Sequence, residues 1–147
     1  AGFNPHQDTA AYLLPGMPTA HISVMVALDD ATPENGCLQV ARGRWQQGDV
    51  QLTPDGVIAP EEEEAMAFED VLWKAGDVMF FSGWIPHRSF RNRSTRARRA
   101  VYITYNPASH GDHHDAYYRM KHQKSFGHGA GSGKISFIND FGGKLVE

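Results

Sequence analysis

Residues 20–28 alternate in character along the chain. Ile22, Val24, Val26 and Leu28 fall on one side, and His21, Ser23, Met25 and Ala27 on the other. A period of two over that length predicts a strand with one aliphatic face and one smaller, more polar face. Such a strand suits a barrel wall, packing on its outer side and lining a cavity on its inner side. Shorter apolar runs at Cys37–Val40, Val71–Trp73, Val78–Phe81 and Arg99–Tyr105 predict further strands. Turn-formers separate them, from Asp29 to Gly36 and at Gly76-Asp77.

Between Arg42 and Asp70 the chain is polar and broken by Gly48, Pro54, Gly56 and Pro60, with a helical turn predicted from Glu61 to Glu64. Residues 42–70 therefore read as an insertion or lid between strands. Residues 107–147, rich in His, Gly and Lys, read as a loop-rich C-terminal extension. Within it a short helix is expected around Asp115 to Lys121 and a strand-like piece at Lys134 to Ile138. Many short strands and no internal repeat make residues 1–147 one all-β domain, a sandwich or barrel.

Composition narrows the partners. The chain has 147 residues, 41% hydrophobic and 21% charged, with a net charge of -3. That balance suits one globular domain and gives no reason to expect a nucleic-acid partner. Cys37 stands alone, which excludes an intramolecular disulfide and fits a reducing, cytoplasmic compartment. No apolar run approaches the roughly 20 residues needed to cross a bilayer, so no membrane partner is expected. Nothing in the sequence speaks to oligomeric state. The chain opens on Ala1 rather than Met and meets its first candidate ligand at His6, which predicts a partial chain.

His6-Gln7-Asp8, answered by the distant His87, carries the candidate chemistry. Two histidines and a carboxylate are the ligands of the facial triad that holds non-haem Fe(II) and leaves its other positions open. In a strand, residues i and i+2 share a side, so His6 and Asp8 are expected to grip one ion together. Any one of eight histidines is more often a core or surface residue than a ligand; the constellation carries the argument. Arg98 adds to it, because Arg98, Ala100, Tyr102 and Thr104 share one strand face. A guanidinium at the end of a cavity-lining strand offers a planar fork to a carboxylate. By strand phase, Tyr12, His21 and Tyr102 are candidate substrate contacts.

Two other clusters are weaker. His110, Asp112, His113, His114 and Asp115 crowd into a breaker-rich loop rather than onto separate strands. Gly127 to Lys134 looks superficially like a phosphate loop, but Ile135 stands where Ser or Thr is required, and a flexible linker is the better account.

The motifs together resemble the phytanoyl-CoA dioxygenase family of Fe(II)/2-oxoglutarate oxygenases. The matching pieces are Pro5-His6-Gln7-Asp8, Glu34-Asn35-Gly36-Cys37-Leu38-Gln39-Val40, Gly76-Asp77-Val78-Met79-Phe80-Phe81, His87-Arg88-Ser89 and Arg98. They cover roughly residues 2 to 106. The resemblance implies a double-stranded β-helix (jelly-roll, cupin-like) core lacking part of its N-terminal region. It implies His6, Asp8 and His87 as Fe(II) ligands, with Arg98 and Ser89 binding the distal carboxylate of 2-oxoglutarate. The implied reaction consumes O2 and 2-oxoglutarate, hydroxylates a C–H bond of a small molecule, and releases succinate and CO2. Where the family often has Gly-Ser-His after the Asn-Gly loop, this chain has Gly43-Arg44-Trp45. Within the family, Tyr12, Asp29-Asp30, Tyr105-Asn106 and Asp115-Ala116-Tyr117-Tyr118 are similar to bacterial 2-aminoethylphosphonate dioxygenases, implying a small anionic substrate. The rival expectation is a cupin-like domain that binds a metal or small molecule without catalysis. A halogenase on the same scaffold would need the carboxylate position empty, and Asp8 fills it.

Overall fold

A computed structural model describes residues 2–12, 20–54 and 56–119 of the chain. Its strands are β1 (Phe3–His6), β2 (Ile22–Ala27), β3 (Leu38–Val40), β4 (Glu69–Val71), β5 (Val78–Ser82), β6 (His87–Ser89) and β7 (Ala100–Tyr105). They form two antiparallel sheets, ordered β1-β6-β3-β4 and β5-β2-β7. Met25 and Ala27 from one sheet meet Leu38 and Val40 from the other, with Phe81 and Trp73 completing the core between them. Fully burying one such large apolar side chain is worth about 1.5–3 kcal/mol.

The alternation along β2 is realised. His21, Ser23, Met25 and Ala27 are buried on the inner side, while Ile22 and Leu28 are about half exposed. Cross-strand register extends the outer face, placing Val24 between Phe80 and Ile103 and Val26 between Val78 and Val101. That face is apolar and open among the described residues, with Phe80 70% exposed.

β6 was not expected as a strand, and β1 was expected only through the same-side placement of His6 and Asp8. Each is short, and Phe3-Asn4-Pro5-His6 and His87-Arg88-Ser89 show no hydrophobic alternation. Their structure comes from partners, as β6 pairs with β1 on one side and β3 on the other. The strand expected at Val71–Trp73 lies two residues earlier, at Glu69–Val71. Trp73 instead buries its ring in the core and makes an isolated bridge to Ala31.

The Asn35-Gly36 turn sets the entry to β3. Asn35 Oδ1 accepts from the Thr32 amide at 2.8 Å, and its Nδ2 donates to the Asp30 carbonyl at 2.8 Å. Gly36 has φ +78°, and a Cβ there would stand 2.3 Å from the Phe90 carbonyl oxygen. Only glycine tolerates both conditions.

Val50, Ile58 and Met66 of residues 42–70 form a second, smaller core with Ala41. The acidic run forms the short helix α1 (Pro60–Glu64), opened by its proline and carrying carboxylates in its first turn. Arg44 Nη2 pairs with Glu62 Oε2 at 3.0 Å, and Arg88 pairs with Glu63. Arg88 alternates with the buried His87 and Ser89, so α1 is tied to the outer side of β6. The Arg88 guanidinium also lies 4.1 Å from the Phe68 ring centroid.

Candidate metal centre

The β1–β6 ladder sets His6 directly opposite His87. Both rings are buried, with centroids 4.2 Å apart. Asp8 Oδ1 lies 3.8 Å from His6 Nε2 and 3.5 Å from His87 Nε2. One ligand atom from each residue falls within 4.8 Å of the other two. Two ligands of one ion can lie no more than about 4.2 Å apart at bond lengths near 2.1 Å, and both carboxylate–imidazole separations are below that.

Each imidazole is oriented through its other nitrogen. His6 Nδ1 is 2.6 Å from the Asn4 carbonyl and His87 Nδ1 is 3.0 Å from the Ile85 carbonyl. A carbonyl only accepts, so each Nδ1 donates and each ring turns its Nε2 toward Asp8. Burial, reinforced by the nearby His87, lowers His6 to about 3, against smaller raising effects from Asp8 and the Asn4 carbonyl. His6 is therefore a neutral donor at ordinary pH. Two imidazole nitrogens and one carboxylate oxygen, all oriented toward one point, fit a divalent transition metal.

His6 and Asp8 meet by a different route from the expected strand geometry. β1 ends at His6, and Asp8 opens a 3-10 turn, Asp8–Tyr12. Gln7 sits between the two, fully buried, and its amide ties three segments together. Nε2 donates to the Gly48 carbonyl at 2.9 Å and the Trp84 carbonyl at 2.6 Å, while Oε1 accepts from the Val50 amide at 3.2 Å. The Ile58 amide also donates to the Pro5 carbonyl at 2.8 Å, so the 42–70 stretch is bonded to the ligand-bearing segment. Gly83 holds the turn against β2: its amide donates to the His21 carbonyl, and its carbonyl accepts from the Thr9 amide. Ser23 Oγ, on the inner face of β2, lies 2.5 Å from Asp8 Oδ2. Gln7, Gly83 and Ser23 escaped the sequence argument; only Ser23 left a signal, as a polar residue in phase with His21.

The other candidates fall around this centre. Tyr102 is half exposed, yet partial burial of its phenol and the Asp8 carboxylate raise it, and the nearby Arg98 opposes the rise. Arg98 also acts on Cys37, whose thiol is pushed up to about 11 by burial and by Asp70. Ser89, buried and two residues along the inner face from His87, accepts from the Phe3 amide at 3.3 Å. Tyr12 stacks on His21 with ring centroids 4.3 Å apart, and Tyr117 packs on Tyr12 at 5.0 Å.

The histidines near residue 112 make no comparable centre. His113 Nε2 contacts the His110 carbonyl at 2.6 Å and His114 pairs with Asp115, all near the surface. Among the described residues, His6, Asp8 and His87 are the one grouping able to hold a metal. Residues 127–134 and the strand-like piece at 134–138 lie outside the described residues.

Two facing antiparallel sheets with this cluster between strand ends define a cupin-type double-stranded β-helix. Solved structures agree. EctD from S. alaskensis matches with TM-score 0.65 and 28% identity over 74% of this chain and 40% of its own. EvdMO1 matches with TM-score 0.56 and 32% identity over 74% of this chain and 24% of its own. The chain belongs to the phytanoyl-CoA dioxygenase (PhyH) family, whose model matches residues 1–100. It is 38% identical to a methylphosphonate hydroxylase of Gimesia maris, over 99% of this chain and 56% of that protein. It is 36% identical to a 2-aminoethylphosphonate dioxygenase of uncultured bacterium HF130_AEPn_1, over 84% of this chain and 47% of that protein. The chain thus spans about half the length of these curated relatives. No helix among the described residues is long and apolar enough to cross a membrane.

Proposed function

We propose that the protein is an Fe(II)/2-oxoglutarate-dependent dioxygenase that hydroxylates a C–H bond of a small phosphonate, such as 2-aminoethylphosphonate. The observation that carries this reading is the buried convergence of His6, Asp8 and His87 on one point, with both imidazoles turned inward by backbone carbonyls. Two phosphonate-acting relatives support the substrate class. A further EctD structure, solved with 2-oxoglutarate and 5-hydroxyectoine, supports the cosubstrate.

In this reading His6, Asp8 and His87 hold the iron by one face. The bound iron supplies oxygen activation, coupled to oxidative decarboxylation of 2-oxoglutarate to succinate and CO2. Arg98 grips the distal carboxylate of the cosubstrate with its guanidinium fork, aided by the Ser89 hydroxyl. Tyr12, His21 and Tyr102 line the substrate side, where the protein orients the target carbon and excludes water. The chain acts as a single domain in the cytoplasm, with 42–70 as an insertion.

The test is substrate-stimulated release of succinate, with aminophosphonates and methylphosphonate offered first. Asp8→Ala is expected to abolish turnover. Arg98→Ala is expected to raise the 2-oxoglutarate requirement at least about tenfold, the scale of a lost charge-assisted pair, while iron still binds. Unchanged 2-oxoglutarate dependence in the Arg98 variant would remove that residue from its role. Metal binding with no succinate from any phosphonate would leave a binding domain in place of an enzyme.

A further inference from the structure

The two oxygens of Asp8 have separate tasks. Oδ1 faces His6 Nε2 and His87 Nε2 at 3.8 and 3.5 Å. Oδ2 lies 2.5 Å from Ser23 Oγ. The hydroxyl has a proton to give and an ionised carboxylate can only accept, so Ser23 donates. The separation is in the range of hydrogen bonds from hydroxyls to charged carboxylates, which are about twice as strong as neutral ones.

Ser23 is well placed to hold that bond. It is 2% exposed and lies mid-strand on β2, between Phe81 of β5 and Thr104 of β7. Its neighbours on the same face, His21 and Met25, are buried too. Asp8 begins a turn secured to the same strand through Gly83, where an added Cβ would stand 3.3 Å from both Thr9 Cγ2 and His21 Cβ. Donor and acceptor are thus fixed on two elements pinned together beside them.

We infer that Ser23 is a positioning residue that keeps Asp8 a one-oxygen ligand of the metal. The inference rests on the reading of His6, Asp8 and His87 as a metal centre. A carboxylate free to turn can chelate an ion through both oxygens. On a facial triad the second oxygen would take a position that the cosubstrate and O2 need. With Oδ2 held by Ser23, chelation would first have to break a short, part-buried hydrogen bond to a carboxylate.

Co(II) serves as a spectroscopic probe, added to the wild-type chain, Ser23→Ala and Ser23→Thr, followed by calorimetric titration with 2-oxoglutarate. The wild type and Ser23→Thr are expected to share one Co(II) absorption spectrum and one 2-oxoglutarate affinity. Ser23→Ala is expected to bind Co(II) within about threefold of wild type, with an altered spectrum and 2-oxoglutarate affinity at least about tenfold weaker. An alanine variant matching wild type in both readouts would overturn the inference. So would a folded alanine variant that no longer binds Co(II), because the hydroxyl would then be needed for binding itself. The infrared difference spectrum of the wild type with and without Co(II) needs no variant: a widely split pair of carboxylate stretches supports one-oxygen binding, and a narrow pair contradicts it. If wild type takes up no Co(II), the metal-centre reading itself fails.

Discussion

Gln7, between two of the candidate ligands, and Cys37, just ahead of β3, are both buried, and each makes a test at the scale of a single side chain. Gln7→Leu keeps the volume but strands the Val50 amide and removes the bonds to Gly48 and Trp84. Leaving a buried donor unpaired costs about 1–3 kcal/mol, so the denaturation midpoint should fall accordingly. Cys37 has a thiol raised from 9.0 to about 11. The unfolded chain loses that proton first, so stability from this group is present below about pH 9 and declines as pH rises toward 11. Denaturant melts across that window should show the decline in wild type and a smaller one in Cys37→Ala. In the folded protein at pH 8 the thiol should also react slowly with disulfide reagents. The candidate cluster of His6, Asp8 and His87 was legible in the sequence, because two histidines and a carboxylate have a recognisable chemistry. Gln7 was not, because its partners lie 41 to 77 residues away and nothing local announces them.

The long alternating strand is the element that the sequence describes best. β2 is central in its sheet, so its two faces see different surroundings and its residues sort accordingly. β5 and β7 flank it as edge strands, and their apolar runs were legible although most of their residues are exposed. β1 and β6 were harder to read because His6 and His87 point at the candidate site rather than forming an apolar face, and their pairing comes from neighbours. The expectation that His6 and Asp8 share a strand reached the right juxtaposition by the wrong element, since a 3-10 turn brings Asp8 back. Turns are as informative as strands here. Gly36→Ala combines a left-handed backbone with a 2.3 Å approach to the Phe90 carbonyl, so it should destabilise the fold by at least about 1–3 kcal/mol. Thermal melts would check this. Gly43→Ala, equally left-handed but with open space around it, should lie toward the lower end of that range.

At the scale of the whole molecule, the two sheets divide the work. The β1-β6-β3-β4 sheet carries both candidate histidine ligands, with Ser89 on the same inner face. The β5-β2-β7 sheet supplies Ser23 and Tyr102, and Arg98 stands just ahead of β7. The outer face of the second sheet points away from that chemistry. Phe80→Ser should therefore leave Co(II) binding unchanged and move stability by no more than about 0.5 kcal/mol, because the ring it removes is already largely in water. The central claim is that iron and a keto acid meet at His6, Asp8 and His87. Anaerobic titration of Fe(II) and then 2-oxoglutarate, followed by visible absorption, tests it most directly. The account predicts a charge-transfer band that appears only when both are present, saturates at one of each per chain, and is absent in Asp8→Ala. Bound Fe(II) with no such band on adding 2-oxoglutarate would contradict it.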